Sequence, residues 1–187
     1  IKKKIVWYSM KHFYHLIQFI FIAFLFGVFK LIGFKNSSNF GFFIGRTLGP
    51  IFRSKSSIIK NLEKANINGD FEKIASNVLG NYGRIFAEYV HLKNFKNDKL
   101  SKYISIEGKE YLDYIKKNKK KVIFISGHFN NFELMAMQIE KLGIDLAAIY
   151  RPLNNKFLNP IMEKIRKNYI CKKQIKKGIS GTKELLQ

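Results

Sequence analysis

Acidic residues are scarce in this chain of 187: 13 Asp and Glu stand against 34 Lys and Arg, for a formal net charge of +21. So lopsided a balance directs attention to anionic partners, whether nucleic acid, an anionic membrane surface or an acidic carrier protein. It fits equally a Lys-, Ile-, Asn- and Phe-rich composition whose lysines are solvated surface, because charge governs association rather than fold. Cysteine is limited to Cys171, which excludes an internal disulfide and any multi-cysteine zinc site. No His or Asp lies beside it in "NYICKKQIKK", so the thiol is not read as a nucleophile, and a lone cysteine fits a reducing compartment. Internal repeats and low-complexity linkers are lacking. So are lysine blocks interleaved with aromatics, the pattern that stacks on bases; "KKNKKK" at 116–121 reads as a solvated loop.

What the chain does have is length for one domain with a core and, near its start, a long apolar run. Residues 13–34, "FYHLIQFIFIAFLFGVFKLIGF", are broken only by His15, Gln18 and Lys30. As a helix the run reaches about 33 Å, enough for a hydrocarbon core of roughly 30 Å. Lys30 can snorkel near one end, and Trp7, Tyr8 and Tyr14 suit an interfacial belt. No small-residue cleavage site follows, which argues against a signal peptide; a buried core helix is the other alternative. Lys2, Lys3, Lys4 and Lys11 precede the run and Lys35, Arg46, Arg53 and Lys55 follow it, so the positive-inside rule gives no orientation. "NFGFFIGRTLGPIF" (39–52) fits a surface-lying helix, a second short span or a core helix. His12 and His15 look interfacial and receive no chemistry.

Helical spacing returns at Ile58, Ile59 and Leu62, and again at Ile74, Val78, Leu79, Tyr82, Ile85, Phe86 and Tyr89. Asp70 is the expected cap of the second helix, and His91, at its far end, is placed to be favoured by the C-terminal dipole. From residue 104 the pattern changes. "ISIEG" and the β-branched run "KVIFIS" read as strands, as does "IDLAAIY". "KEYLDYIKK", "NNFELMAMQIEKLG" and "FLNPIMEKIRKNY" read as helices, the second closed by Gly143, and "GISGTKELLQ" as the start of another. Alternation of this kind implies an α/β sandwich with a largely parallel sheet.

Ligands of open α/β sheets bind beyond the carboxyl ends of the strands, and His128 follows "KVIFIS" there after a sharp turn at Gly127. Glu133 falls in the first turn of the next helix, so H-x-x-x-x-E can bring imidazole and carboxylate together across a strand–loop–helix corner. A carboxylate on one ring nitrogen fixes the tautomer and leaves the other to take a proton from a hydroxyl. Asn130 with Glu133 three residues on also resembles a capping box, and by spacing alone that is the better-supported reading. Arg151, in "IYRPLNN", is expected on the same sheet edge, where it could bind phosphate or an oxyanion or form a surface salt bridge. Arg166 is a weaker candidate of the same kind, and Asn131 can hydrogen-bond within the loop.

The segment "FISGHFNNFELMA" followed by "YRPLNN" resembles the lipid A biosynthesis acyltransferases, the late lauroyl- and myristoyl-transferring type. These are similar to the wider glycerolipid acyltransferases with their H-x-x-x-x-D/E motif. "IIKNLEKA", "NYGRIFAEYVHL", "IEGKEYL" and "MEKIRKN" match in order, so the resemblance covers essentially the whole chain. Where the family often has Gly-Asn-Trp, this chain has Asn130, Asn131 and Phe132, which keeps the aromatic. The resemblance implies a glycerolipid-acyltransferase-like α/β sandwich with an N-terminal transmembrane helix, the anchor at 1–35 and the acyltransferase domain at 36–187. The family's polypeptide is longer, which implies a chain incomplete at its C-terminus.

By the same resemblance His128 is the general base, oriented by Glu133, and Arg151, Asn131 and Arg166 are substrate-binding residues. Glu88 matches a family position without an assignable role. An acyl–acyl carrier protein is the implied donor and a phosphorylated glycolipid, the lipid A precursor, the implied acceptor. No cofactor, metal or nucleic acid is expected. The implied location is the bacterial inner membrane with the catalytic domain on its cytoplasmic side. A glycerophospholipid or other glycolipid acyltransferase shares the chemistry, and a membrane-anchored basic module binding anionic lipid or nucleic acid is the non-enzymatic alternative.

Overall fold

A computed structural model describes residues 2–185, with side chains from residue 10 onward. The belt expected of Trp7 and Tyr8, the side chains of Lys2, Lys3 and Lys4, and the chain end at Leu186 and Gln187 lie outside the described residues.

Helix α1 (Lys2–Phe52) is broken once, at Gly33, where φ is 78° and ψ 168°. That region is open essentially to glycine alone, and nothing lies within 4 Å of the side-chain position. Met10–Phe52, 43 residues, is long and apolar enough to cross a membrane by length and composition. Phe13, Ile17, Ile20, Phe24 and Leu31 recur at helical spacing on a face that is exposed throughout, whereas His15 and Phe29 are buried. The described residues form two compact units, one of residues 25–91 with 129–131, the other of residues 1–24, 92–128 and 132–187.

In the first unit, α2 (Lys55–Lys64) and α3 (Phe71–Glu88) pack through Ile58, Ala75 and Leu79, with Ile59, Leu62 and Val78 against them. The periodicity of both helices is thus used largely as expected, except that Tyr82 is exposed. Asp70 caps α3, its Oδ1 accepting from the Lys73 N–H at 3.0 Å, which satisfies one of the donors a helix start leaves open.

The part of α1 after Gly33 lies antiparallel on α3, and glycine makes the approach possible. A Cβ on Gly83 would sit 2.1 Å from the Gly41 carbonyl oxygen and 2.7 Å from the Gly45 Cα. One on Gly45 would sit 2.4 Å from the Leu79 carbonyl oxygen, and one on Gly80 would sit 2.6 Å from the Phe42 ring. Small residues at four-residue spacing are the usual means of such backbone contact between apolar helices. Residues 39–52 are helical and pack one face on α3. Their far face still exposes Phe43, Ile51 and Phe52.

The second unit is built from α4 (Leu92–Lys96), α5 (Lys109–Lys117), α6 (Glu133–Lys141), β1 (Ala147–Tyr150), α7 (Leu158–Ile165), β2 (Lys173–Lys176) and α8 (Ile179–Leu185). A π turn, Arg166–Ile170, extends α7. β1 and β2 pair in parallel with Ala147 opposite Lys173 and Tyr150 opposite Lys176, so β1, α7 and β2 form a crossover unit. Leu92, Phe95, Met137, Ile139, Leu158, Met162, Ile170 and Ile175 are among its buried apolar residues. Gly143, at φ 81°, closes α6 as expected, its N–H reaching the Glu140 carbonyl at 2.9 Å.

The expected sandwich is not what the described residues show. Helix makes up 68% of the chain and the sheet has two strands. "ISIEG" and "KVIFIS" have strand composition but form no strand, and Ile123 and Ile125 are 90% and 92% exposed. A strand exists only by pairing, and β-propensity measures fit to neighbours rather than a backbone preference. Without a hydrogen-bonded neighbour these runs stay outside the sheet.

The glycine contacts give a direct prediction. Gly83→Ala should lower stability by about 1–3 kcal/mol, the usual effect of overpacking. Gly27→Ala, with nothing within 4 Å of its side-chain position, should be neutral or stabilising by up to about 1 kcal/mol. Thermal unfolding in detergent reads both; equal melting temperatures for the two variants would contradict the close approach.

Candidate active site

Four of the five candidate residues belong to the unit with the sheet. His128 is exposed on the loop before α6, its ring 4.4 Å from that of Phe132 and tilted by 59°. It makes no hydrogen bond or ion pair among the described residues. Glu133 opens α6, as the spacing predicts, and is buried. The capping box does not form: the helix cap is Phe132 with no side-chain hydrogen bond, and Asn130 has a left-handed φ of 44°, a conformation asparagine tolerates. The Glu133 carboxylate instead takes the Arg166 Nε–H at 3.2 Å, with side-chain exposures of 10% and 17%.

Arg166 is therefore held from two sides, since its guanidinium also lies 5.8 Å from the Tyr150 ring centre. The Tyr150 hydroxyl donates to Glu163 Oε1 at 2.6 Å, and Asn159 Nδ2 donates to the same oxygen at 2.9 Å. Burial, and then that bond to Glu163, push the Tyr150 phenol up to about 12. Tyr150 donation, with help from Asn159 and Lys176, holds the Glu163 carboxyl below its ordinary value. Both groups are thus fixed in the protonation states that keep the bond.

Arg151 is exposed and makes no hydrogen bond or ion pair among the described residues. The loop it begins is nevertheless fixed. Asn159 Oδ1 accepts from the Leu153 N–H at 2.7 Å, and Asn155 Oδ1 accepts from the N–H groups of Phe157 and Leu158 at 3.0 and 3.1 Å. Asn155 Nδ2 donates to the His15 carbonyl at 2.8 Å and to Gln18 Oε1 at 3.2 Å, while the His12 and Phe157 rings meet at a tilt of 59° with centres 5.0 Å apart. His12 and His15 serve packing there. Cys171 is buried, donates to the Leu146 carbonyl at 2.9 Å, and has a thiol pushed by burial to about 11. A thiol so rarely ionised is a poor nucleophile.

Asn131 belongs to the other unit, where it joins a buried polar cluster. Its Nδ2 donates to Glu88 Oε2 at 2.9 Å, and the Ser38 hydroxyl donates to Glu88 Oε1 at 2.7 Å. Arg84 Nη1 donates to Ser38 Oγ at 3.1 Å, and Ser37 Oγ lies 2.9 Å from His91 Nε2. Ser37, Ser38, Glu88 and His91 are all buried. The sequence reading missed this cluster, although the four-residue spacing of small residues 37, 41, 45 and 49 was a signal for it. Burial lowers the pKa of the His91 imidazole from the ordinary 6.5, outweighing the opposing effects of the Phe29 carbonyl and Glu88.

Among the described residues no group of three or more His, Cys, Asp or Glu could hold a metal ion. With this geometry in view, a sequence model of the bacterial lipid A biosynthesis acyltransferases matches residues 6–186. The chain belongs to that family, a family of acyltransferases in lipid A biosynthesis. No curated protein and no solved structure matches it.

Two measurements follow. Arg166→Ala leaves a nearly buried carboxylate without its cation, a loss on the order of 3 kcal/mol, and Glu133→Gln combined with Arg166→Met should recover most of it. An unchanged melting temperature in Arg166→Ala would show the pair to be solvent-screened. His91 gives a pH dependence. Below 6.5 the unfolded chain binds a proton that the folded protein refuses, so this residue's contribution is complete above 6.5 and is lost as pH falls below it. The melting temperature should fall from pH 7 to pH 5 more steeply in the parent protein than in His91→Gln, and parallel curves would count against it.

Proposed function

We propose that this protein transfers a fatty acyl chain from acyl–acyl carrier protein to a hydroxyl of a lipid A precursor. The family match over residues 6–186 carries the reading. His128, exposed and without a hydrogen bond among the described residues, is the general base. One ring nitrogen takes the proton of the acceptor hydroxyl, and the oxygen attacks the thioester carbonyl. The tetrahedral intermediate collapses with loss of the carrier thiolate, which takes the proton back from the imidazolium. The products are an ester and free carrier thiol, with no covalent acyl-enzyme and no metal or cofactor.

Glu133, kept in place by Arg166, orients and charge-balances His128. His128 makes no hydrogen bond among the described residues, and catalytic contacts often tighten only in the substrate complex. Arg151, with its unengaged guanidinium, binds acceptor phosphate or oxyanion charge; Arg166 and Asn131 are the other substrate-binding residues. The parallel pair β1–β2 with its crossover helix is read as part of an α/β sandwich following an anchor at 1–35. The exposed apolar face of α1 suits lipid as its solvent, and we assign the protein to the inner membrane with the catalytic domain on the cytoplasmic side. The net charge of +21 suits an acidic carrier protein and a phosphorylated glycolipid.

Membranes containing the protein, given acyl carrier protein loaded with labelled fatty acid, should label the lipid A precursor. Transfer to lysophosphatidate alone would make it a glycerophospholipid acyltransferase, and transfer to neither would favour a non-catalytic basic module. His128→Ala should reduce turnover by at least about 10²-fold, the usual scale of general-base catalysis, without changing the melting temperature. Undiminished turnover in that variant would remove His128 from the mechanism.

A further inference from the structure

Glu88 is a buried carboxylate to which the reaction above gives no part. An ionised carboxylate only accepts hydrogen bonds, and here each oxygen has one donor: Ser38 of α1 on Oε1 and Asn131 on Oε2. Arg84, donating to Ser38 Oγ, brings positive charge to the back of the cluster. An acceptor-only partner dictates which way the Asn131 amide faces. Its NH₂ must point at Glu88, and its Oδ1, buried, has no hydrogen-bond partner among the described residues.

Asn131 is also the one anchored residue of its segment. Phe129 is 82% exposed, and Asn130 is exposed with a left-handed backbone. The stretch Phe129–Asn131, which packs with residues 25–91, is covalently the link between His128 and the Phe132–Glu133 start of α6. From this we infer that Glu88 is a positioning residue of the acyl transfer: by holding the Asn131 side chain it fixes the backbone that joins His128 to Glu133. The inference rests on the roles proposed above for those two residues.

Hydrogen exchange and kinetics on the full chain in detergent test it, using Glu88→Ala, Asn131→Ala and the double variant. Exchange in a peptide spanning 127–133 should rise to the same level in all three. Glu88→Ala should lose about 10- to 10²-fold in kcat, the effect of a small misplacement of reacting groups, with acceptor KM nearly unchanged; Asn131→Ala, which also removes a proposed substrate contact, should lose at least as much in kcat and raise KM as well. The double variant should be no worse than Asn131→Ala alone, because the tie that Glu88→Ala breaks is already lost there. Losses that multiply in the double variant, or exchange at 127–133 left as in the parent, would overturn the inference. Should Glu88→Ala fail to fold, Asn131→Ala removes the same bond from the loop side, and parent-like exchange and kcat there would overturn it equally. A parent protein that transfers acyl chains to neither acceptor defeats the functional reading instead, while the exchange data still decide whether the Glu88–Asn131 bond orders the segment.

Discussion

Two helix backbones in direct contact set the terms for the first unit. Because Gly41 and Gly45 meet Gly83 and Leu79 without intervening side chains, α1 and α3 lie close enough for short side chains to bridge them. Serine at 37 and 38, one turn before Gly41, then reaches His91 and Glu88. At ordinary helix separation, 8–10 Å between axes, a serine hydroxyl would not span the gap. The buried polar cluster thus depends on the absence of side chains one and two turns away, and aromatic contacts of Phe26 and Phe29 with Phe86 extend the same seam.

Carboxylates are few here, and those taken into the interior are closely held. Glu88 has Ser38 and Asn131, Glu133 has Arg166, and Glu163 has Tyr150, Asn159 and Lys176. An unpaired buried charge is strongly unfavourable, so a chain with 13 acidic residues places its interior ones where donors converge. The cationic excess, Arg151 included, is left to face outward. That division suits a protein whose proposed substrates are both anionic.

Much of the helical framework was legible in the sequence, since periodicity and caps are local properties. The face of α2, most of that of α3, the Asp70 cap, the Gly143 stop, β1 and the place of Glu133 in the first turn of α6 all follow from residues within a few positions of one another. The misses share a different origin. "KVIFIS" has the composition of a strand, but composition cannot supply the neighbouring strand. Arg166 reaches Glu133 across 33 positions and Ser38 reaches Glu88 across 50, so only the folded chain shows these partners. Of the candidate site, the sequence located the residues along the chain. It did not show that Glu133 faces Arg166, that Asn131 faces Glu88, or that His128 packs on Phe132.

Cys171 has a practical consequence. A solitary thiol, 1% exposed and pushed up to about 11, is nearly silent toward maleimides and other thiol reagents at neutral pH. Within these 187 residues no cysteine needs removal before a reporter is installed. A fluorophore or spin label on a single engineered cysteine at an exposed position such as Phe129 would report on that site alone.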